Sequence, residues 1–216
     1  GMNDKLIISA LNDKTKAVLL THVQGFNALT DLLLHELEKR KIHLIEDVCE
    51  SHGAKHKNKK LGTYGIMSNF SFYYAHHLST IEGGMVCTND RKIYELANMF
   101  RSHGMLRESR NRNFEKKIIK SNSNLSPKFI FLYPTLNFRN NEIGAVIGIN
   151  QLKRLDKNNK IRNRNLKIFL NLIDEKKYYK DFKLKGCSNY AFPVILKSRS
   201  LKTRDRFENI LKKKKI

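Results

Sequence analysis

The sequence predicts an α/β fold organised on a mostly parallel sheet. Short apolar or β-prone runs recur along the first half of the chain, at Ala17–Leu20, Ile42–Ile45, Asn69–Tyr74 and Met85–Thr88. A stretch of helical periodicity separates the first two runs. Strand, helix and strand joined by short links imply a parallel pair with a right-handed crossover.

Composition sets bounds. The chain has 216 residues, enough for one substantial core and the start of a second. No apolar run is long enough to span a bilayer, and no signal-peptide pattern opens the chain. Cys49, Cys87 and Cys187 are odd in number and widely spaced. That spacing suits neither a disulfide framework nor a metal site, and it points to a reducing, cytoplasmic setting. The formal charge is +22, from 42 Lys and Arg against 20 Asp and Glu. Charge of that size can mark a polyanion partner. Here the basic residues are scattered and no nucleic-acid motif stands among them, so nucleic acid is not the expected partner. Positive potential would also favour a substrate carrying a diphosphate.

In chain order, Ala17–Leu20 reads as a buried strand ending at Thr21-His22-Val23-Gln24-Gly25. A helix follows from Asn27, a plausible N-cap, to about Arg40, with Leu29, Leu32, Leu33 and Leu37 on one face. The strand Ile42–Ile45 leads into the acidic pair Glu46-Asp47. Acid at a strand end suits an α/β site, because ligands sit at the carboxyl ends of strands. Lys55–Lys60 is a solvated hairpin or loop. Gly62 and Gly65 permit tight turns before the run Asn69–Tyr74. His76 and His77 follow, then Glu82-Gly83-Gly84 and the strand Met85–Thr88.

Asp90 or Asn89 caps a helix towards Arg101, with Ile93, Leu96, Ala97 and Phe100 on one face. Arg107–Lys128 is a long polar loop, helical from Asn113 to Lys120. From Asn141 to Leu155 the residues Ile143, Val146, Ile149, Leu152 and Leu155 repeat at helical spacing, beside the small Gly144, Ala145 and Gly148. The helix continues, charged, to about Lys177. Tyr190–Leu196 reads as a strand and Thr203–Lys215 as a helix. The expected division is a larger domain over residues 1–155 and a smaller α+β one over 156–216.

Several of these elements, in this order, resemble the DegT/StrS-type sugar aminotransferases of pyridoxal-phosphate fold type I. The matching elements are Thr21-His22-Val23-Gln24-Gly25, Glu46-Asp47 with Glu50, Gly62 with Gly65, Ser71-Phe72, Glu82-Gly83-Gly84, Arg101-Ser102-His103-Gly104 and Asn137-Phe138-Arg139. The family's cofactor-binding lysine falls at His76. That exchange, with His77 beside it, resembles the branch of NDP-4-keto-6-deoxyhexose 3-dehydratases.

The resemblance implies a partial large domain with a mostly parallel sheet, an incomplete small domain, and pyridoxamine or pyridoxal 5′-phosphate held noncovalently. Imidazole cannot form the covalent link a lysine forms, but it titrates near neutrality and can act as a base. By the resemblance His76 is the catalytic base, Asp47 pairs with the cofactor's pyridine nitrogen, and Ser71 holds its phosphate. Glu50 lies near its phenolic oxygen, and Asn137 reaches the phosphate in the other subunit of a homodimer. His77, His103 and His22 are substrate-contact candidates, and His22 and His103 also suit structural roles. The implied substrate is a nucleotide-linked 4-keto-6-deoxyhexose of deoxysugar or O-antigen synthesis, with glutamate restoring the cofactor's amino group. One subclass carries an iron–sulfur cluster; three scattered cysteines do not supply four ligands, so no cluster is expected.

Family members have further N-terminal residues, among them a phosphate-binding turn and an aromatic ring stacker, and they continue beyond the strand near Tyr190. The chain therefore reads as an internal piece of such an enzyme. A sugar aminotransferase is the alternative that the missing lysine disfavours. A non-catalytic dimeric remnant is the second, and it predicts protein free of cofactor. Nucleic-acid binding is the third, and it predicts steep salt dependence.

Overall fold

The computed structural model describes residues 3–215. Helix α1 (Asp4–Ala10) is capped by Asn3, whose side chain accepts from the N–H groups of Lys5 and Leu6. Strand β1 (Ala17–Thr21) leads to α2 (Asp31–Lys39) and then to β2 (His43–Asp47). A small hairpin follows, β3 (Lys55–His56) with β4 (Lys59–Lys60). Strands β5 (Met67–Ser71) and β6 (Gly84–Thr88) complete a four-stranded sheet of order β1-β2-β5-β6. The first three strands are parallel, with Thr21 opposite Asp47 and Asp47 opposite Asn69. β6 runs antiparallel to β5, with Ser71 opposite Gly84. Topology and sense match the expected mostly parallel sheet.

α2 begins later than the sequence suggests. Thr30, not Asn27, is its cap: Oγ1 accepts from the Leu33 N–H at 3.1 Å, and Asp31 puts a negative charge in the first turn. Asn27 has other work. Its side chain accepts from the Leu29 N–H and meets the His56 ring at 2.9 Å, closing the loop before the helix. Leu29, Leu33 and Leu37 are buried as expected, whereas Leu32 is half in solvent. With Leu20, Leu44, Val48 and Leu61 they form the main core between α2 and the sheet. Each fully enclosed leucine there contributes about 1.5–3 kcal/mol.

Downstream, α3 (Arg91–Phe100) is capped by Asp90 and α4 (Arg112–Ser121) by Asn111. α5 (Glu142–Leu172) is one unbroken helix of 31 residues. The 155/156 division expected from sequence falls inside it. Its predicted apolar face splits in two. Leu155 is buried, as are Leu166 and Leu170 beyond the predicted stretch, but Ile143, Val146, Ile149 and Leu152 are 59–74% exposed. On α3, likewise, Leu96 and Phe100 remain exposed while Asn98 and Met99 are buried. Helical spacing identifies an apolar stripe; it does not say what the stripe faces.

The segment after α5 contains β7 (Tyr178–Tyr179), β8 (Ile195–Leu196) and α6 (Leu201–Lys213), which Ser200 caps. The strand expected over Tyr190–Leu196 is cut to its last two residues, paired antiparallel with β7. Residues 186–190 turn back onto the main core instead. Lys55 N–H donates to Gly186 O at 2.8 Å, Ser188 N–H to Gly25 O at 3.0 Å, and Tyr190 N–H to Gln24 O at 3.0 Å. Gly25 makes this possible: it has φ +84°, and a Cβ there would stand 2.8 Å from the backbone nitrogen of Asn189. Among the described residues no helix is long and apolar enough to cross a membrane.

Candidate active site at the carboxyl edge of the sheet

Three parallel strands end close together, and Thr21, Asp47 and Asn69 make a row across them. Asp47 sits in the middle. Its Oδ1 accepts from Asn69 Nδ2 at 2.9 Å and from the Cys49 N–H at 3.1 Å, and its Oδ2 from Thr21 Oγ1 at 3.3 Å. Burial alone would raise its pKa. The bonds from Cys49, Asn69 and Thr21 outweigh burial and leave it below the usual carboxylate value. Asp47 is thus a fixed, half-buried anion at a strand end.

Its neighbour Glu46 points to the other face and is fully buried. Burial would raise its pKa too, but hydrogen bonds hold it down. Those bonds are to His22 Nε2 at 3.3 Å and to the N–H groups of Gly62, Tyr64 and Gly65 at 2.7, 2.7 and 2.8 Å. Glu46 therefore pins the glycine loop ahead of β5. His22 is also fully enclosed, and its Nδ1 accepts from the Ala28 N–H at 3.2 Å. With Nδ1 accepting, the proton sits on Nε2 and points at Glu46. Both ring nitrogens are engaged within the protein, the arrangement of the structural, loop-holding role the sequence also allowed for His22.

β5 ends at Ser71, short of the run expected to Tyr74. Ser71 Oγ accepts from the Tyr73 N–H at 3.3 Å, which turns the chain away from the sheet. His76 is half-buried in the loop that follows. Its ring lies 5.9 Å from that of Tyr73, 5.5 Å from Tyr190 and 6.1 Å from His52. His77 is buried, and its Nε2 donates to the backbone carbonyl of Ser188 at 2.9 Å. That contact engages one ring nitrogen in the protein and leaves Nδ1 without a partner. The fold thus gathers His52, His76 and His77 into one cluster, closed on one side by Tyr190.

The remaining candidates lie on other contacts. Glu50 accepts from the Gln24 N–H at 2.7 Å, which stabilises the left-handed backbone of Gln24 at φ +57°. His103, at φ +57°, belongs to the turn after α3, and its N–H donates to Leu136 O at 2.9 Å. Asn137 pairs with Ser102 in an isolated bridge and accepts from Arg139 N and Nε, both at 3.1 Å. Asn137 and Arg139 are exposed together. His103 and Asn137 are therefore neighbours through this bridge.

Comparison with known proteins decides the family. The sequence profile of the DegT/DnrJ/EryC1/StrS aminotransferase family matches residues 2–216. The chain belongs to this family. It is 36% identical over 204 residues to the GDP-4-keto-6-deoxy-D-mannose 3-dehydratase of Yersinia pseudotuberculosis, covering 91% of this chain and 50% of that protein. The structure of the E. coli GDP-4-keto-6-deoxy-D-mannose-3-dehydratase with bound hydrated PLP matches with TM-score 0.82 and 31% identity, over 98% of this chain and 55% of that one. A GDP-4-keto-6-deoxymannose-3-dehydratase with a trapped PLP–glutamate geminal diamine matches with TM-score 0.83 and 30% identity, over 100% of this chain and 56% of that one. The chain spans about half the length of the curated relatives it matches. Fold type I, inferred from motif order, accords with these structural neighbours.

Within this family member, three site residues escaped the sequence reading. Asn69 holds Asp47 across the β2–β5 pair, and a period-2 reading of β5 would have put it on the same edge. His52 precedes Gly53, and only its burial, at 3% exposure, reveals it as part of the cluster. Tyr190 arrives from the far end of the chain, and no local signal marks it.

Proposed function

We propose that this chain carries the base and the ring-nitrogen partner of a pyridoxamine-phosphate-dependent 3-dehydratase acting on a nucleotide-linked 4-keto-6-deoxyhexose. One observation supports this above the others. A half-buried imidazole, His76, stands in the loop after β5, where the aminotransferase pattern has lysine, on the same sheet edge as the clamped anion Asp47. The side chains present fit the cofactor. Asp47 is ionised and would keep a pyridine nitrogen protonated. Ser71 ends β5 with a hydroxyl able to donate to a phosphate oxygen.

When bound, the cofactor supplies an electron sink. The protein's own part is binding and proton transfer. His76 cannot make the lysine's covalent link, so the cofactor stays noncovalent and exchangeable. With cofactor and sugar bound, His76 would be the group placed to accept a proton as a base and, as the imidazolium, to donate it to the departing C3 hydroxyl of the sugar. Tyr73 and Tyr190 flank the ring and limit water at that position. Exposed Asn137 and Arg139 would meet a cofactor phosphate across a homodimer interface. The excess positive charge favours the substrate's diphosphate. Glutamate is the proposed amino donor, in keeping with the trapped species in the similar dehydratase.

The test is a titration of the purified protein with pyridoxal and pyridoxamine phosphate, followed by absorbance and thermal shift. GDP-4-keto-6-deoxymannose with glutamate is then assayed. Saturable binding weakened by Asp47→Asn, with turnover abolished by His76→Asn, is the expected result. No binding at millimolar cofactor would overturn the reading for this chain.

A further inference from the structure

Three buried ring nitrogens in the histidine cluster have no hydrogen-bond partner: Nε2 of His52, Nδ1 of His76 and Nδ1 of His77. The His52 ring centroid lies 6.1 Å from that of His76 and 5.8 Å from that of His77. Phe70 and Phe72 pack on His52 at 5.8 and 5.9 Å, so the ring cannot turn freely to solvent. A buried polar atom left unpaired costs about 1–3 kcal/mol. Three of them in one cluster, with the His52 ring about 6 Å from each of the other two, call for a shared partner.

The proton positions follow from the other nitrogens. His77 Nε2 faces a carbonyl, so it carries the hydrogen, and His77 Nδ1 is a lone pair. The Ser71 backbone beside His52 favours its protonated ring, and because Nε2 is the unpartnered nitrogen the hydrogen of the neutral ring is assigned to Nδ1, which leaves Nε2 as a lone pair. Burial first, then the nearby His77 and His76, push the His52 pKa down to about 4, and burial lowers that of His77. Both rings are neutral acceptors at neutral pH.

We propose that one buried water bridges the three rings and that His52, through it, is a positioning residue for His76. Rings at this spacing are too far apart for a direct bond, and two bonds of about 2.8 Å through one water span it. The water gives its two hydrogens to His52 Nε2 and His77 Nδ1. Its lone pair then accepts from His76, so His76 must carry its hydrogen on Nδ1. That leaves His76 Nε2 as the basic lone pair. A water with three such partners is the usual buried kind. Among the described residues no group of His, Cys, Asp or Glu has a metal-holding arrangement, which favours water over an ion. The proposal rests on the reading of His76 as the base.

Long-range ¹H–¹⁵N spectra of the chain labelled with ¹⁵N-histidine test it directly, with His76 assigned by its loss in His76→Asn. The expected pattern is His76 protonated at Nδ1 near pH 7.5, unchanged by a chelator. His52→Phe keeps the packing, removes the acceptor, and should move the proton to Nε2. His52→Gln, whose amide oxygen can accept in the same place, should restore the Nδ1–H form. Wild-type His76 protonated at Nε2, a pattern abolished by the chelator, or no change in His52→Phe would each overturn the proposal. The wild-type spectrum decides even if a variant does not fold. Turnover that survives His76→Asn would instead sink the base reading while leaving the tautomer result standing.

Discussion

Asn69 lies directly opposite Asp47 across the β2–β5 pair and donates its side-chain amide to Oδ1 of that carboxylate at 2.9 Å. The same amide reaches Cys49 Sγ at 3.2 Å. One side chain thus fixes both the anion and the turn that follows it.

Asn69→Leu should therefore leave the fold in place and weaken pyridoxal phosphate binding. A lost hydrogen bond to a charged group is worth about 1.5–3 kcal/mol. The dissociation constant should rise by roughly ten- to a hundredfold. Absorbance titration measures it, and an unchanged constant would separate Asp47 from the cofactor.

Glu46→Ala leaves the N–H groups of Gly62, Tyr64 and Gly65 and the His22 ring without their acceptor. The expected cost is at least about 3 kcal/mol, read as a lower urea midpoint. The pH dependence has a definite sign. The folded pKa of Glu46 lies below its ordinary 4.5, so its stabilisation is present above pH 4.5 and is lost as pH falls through the folded value. The variant should lack this part of the acid destabilisation.

Gly25→Ala should loosen residues 186–190 without unfolding the sheet. The added methyl would stand 2.8 Å from the Asn189 and Tyr190 nitrogens, on a backbone at φ +84°. Faster limited proteolysis in that segment, with a smaller change at β1–β2, is the expected outcome. Equal loss of protection throughout would show that the segment is integral to the core.

Cys49 and Cys187 should resist alkylation. Burial raises both thiols to about 11, with the Asp47 carboxylate adding to the effect at Cys49. Their thiolate fraction at pH 8 is then roughly a hundredth of that of a thiol at 9. Mass spectrometry after timed iodoacetamide treatment should find Cys87 modified first.

Much of the first half of the chain was legible because its determinants are local. Short apolar and β-prone runs marked the strands, and Asp90 marked a cap. Motif order pointed to the family, whose profile matches residues 2–216. The failures have a common physical origin. Asn27 and Thr30 are both good cap types, and only the distant His56 assigns Asn27 to the loop. His22 and His77 were substrate-contact candidates as single residues, and only the fold shows that Glu46 and Ser188 engage them. The stripe of α5 was correctly apolar, but burial depends on a facing surface that periodicity does not describe.

The bond between His77 and Ser188 joins residues 111 positions apart. Such a closure costs chain entropy that only the finished fold repays. During synthesis the β1–α2–β2 core can assemble while the histidine cluster is still open, because its last wall, Tyr190, has not yet left the ribosome. A nascent chain arrested before residue 186 should already protect Leu20 and Leu33 from exchange. The same intermediate should hold the His76 and His77 rings in water, their pocket still unformed.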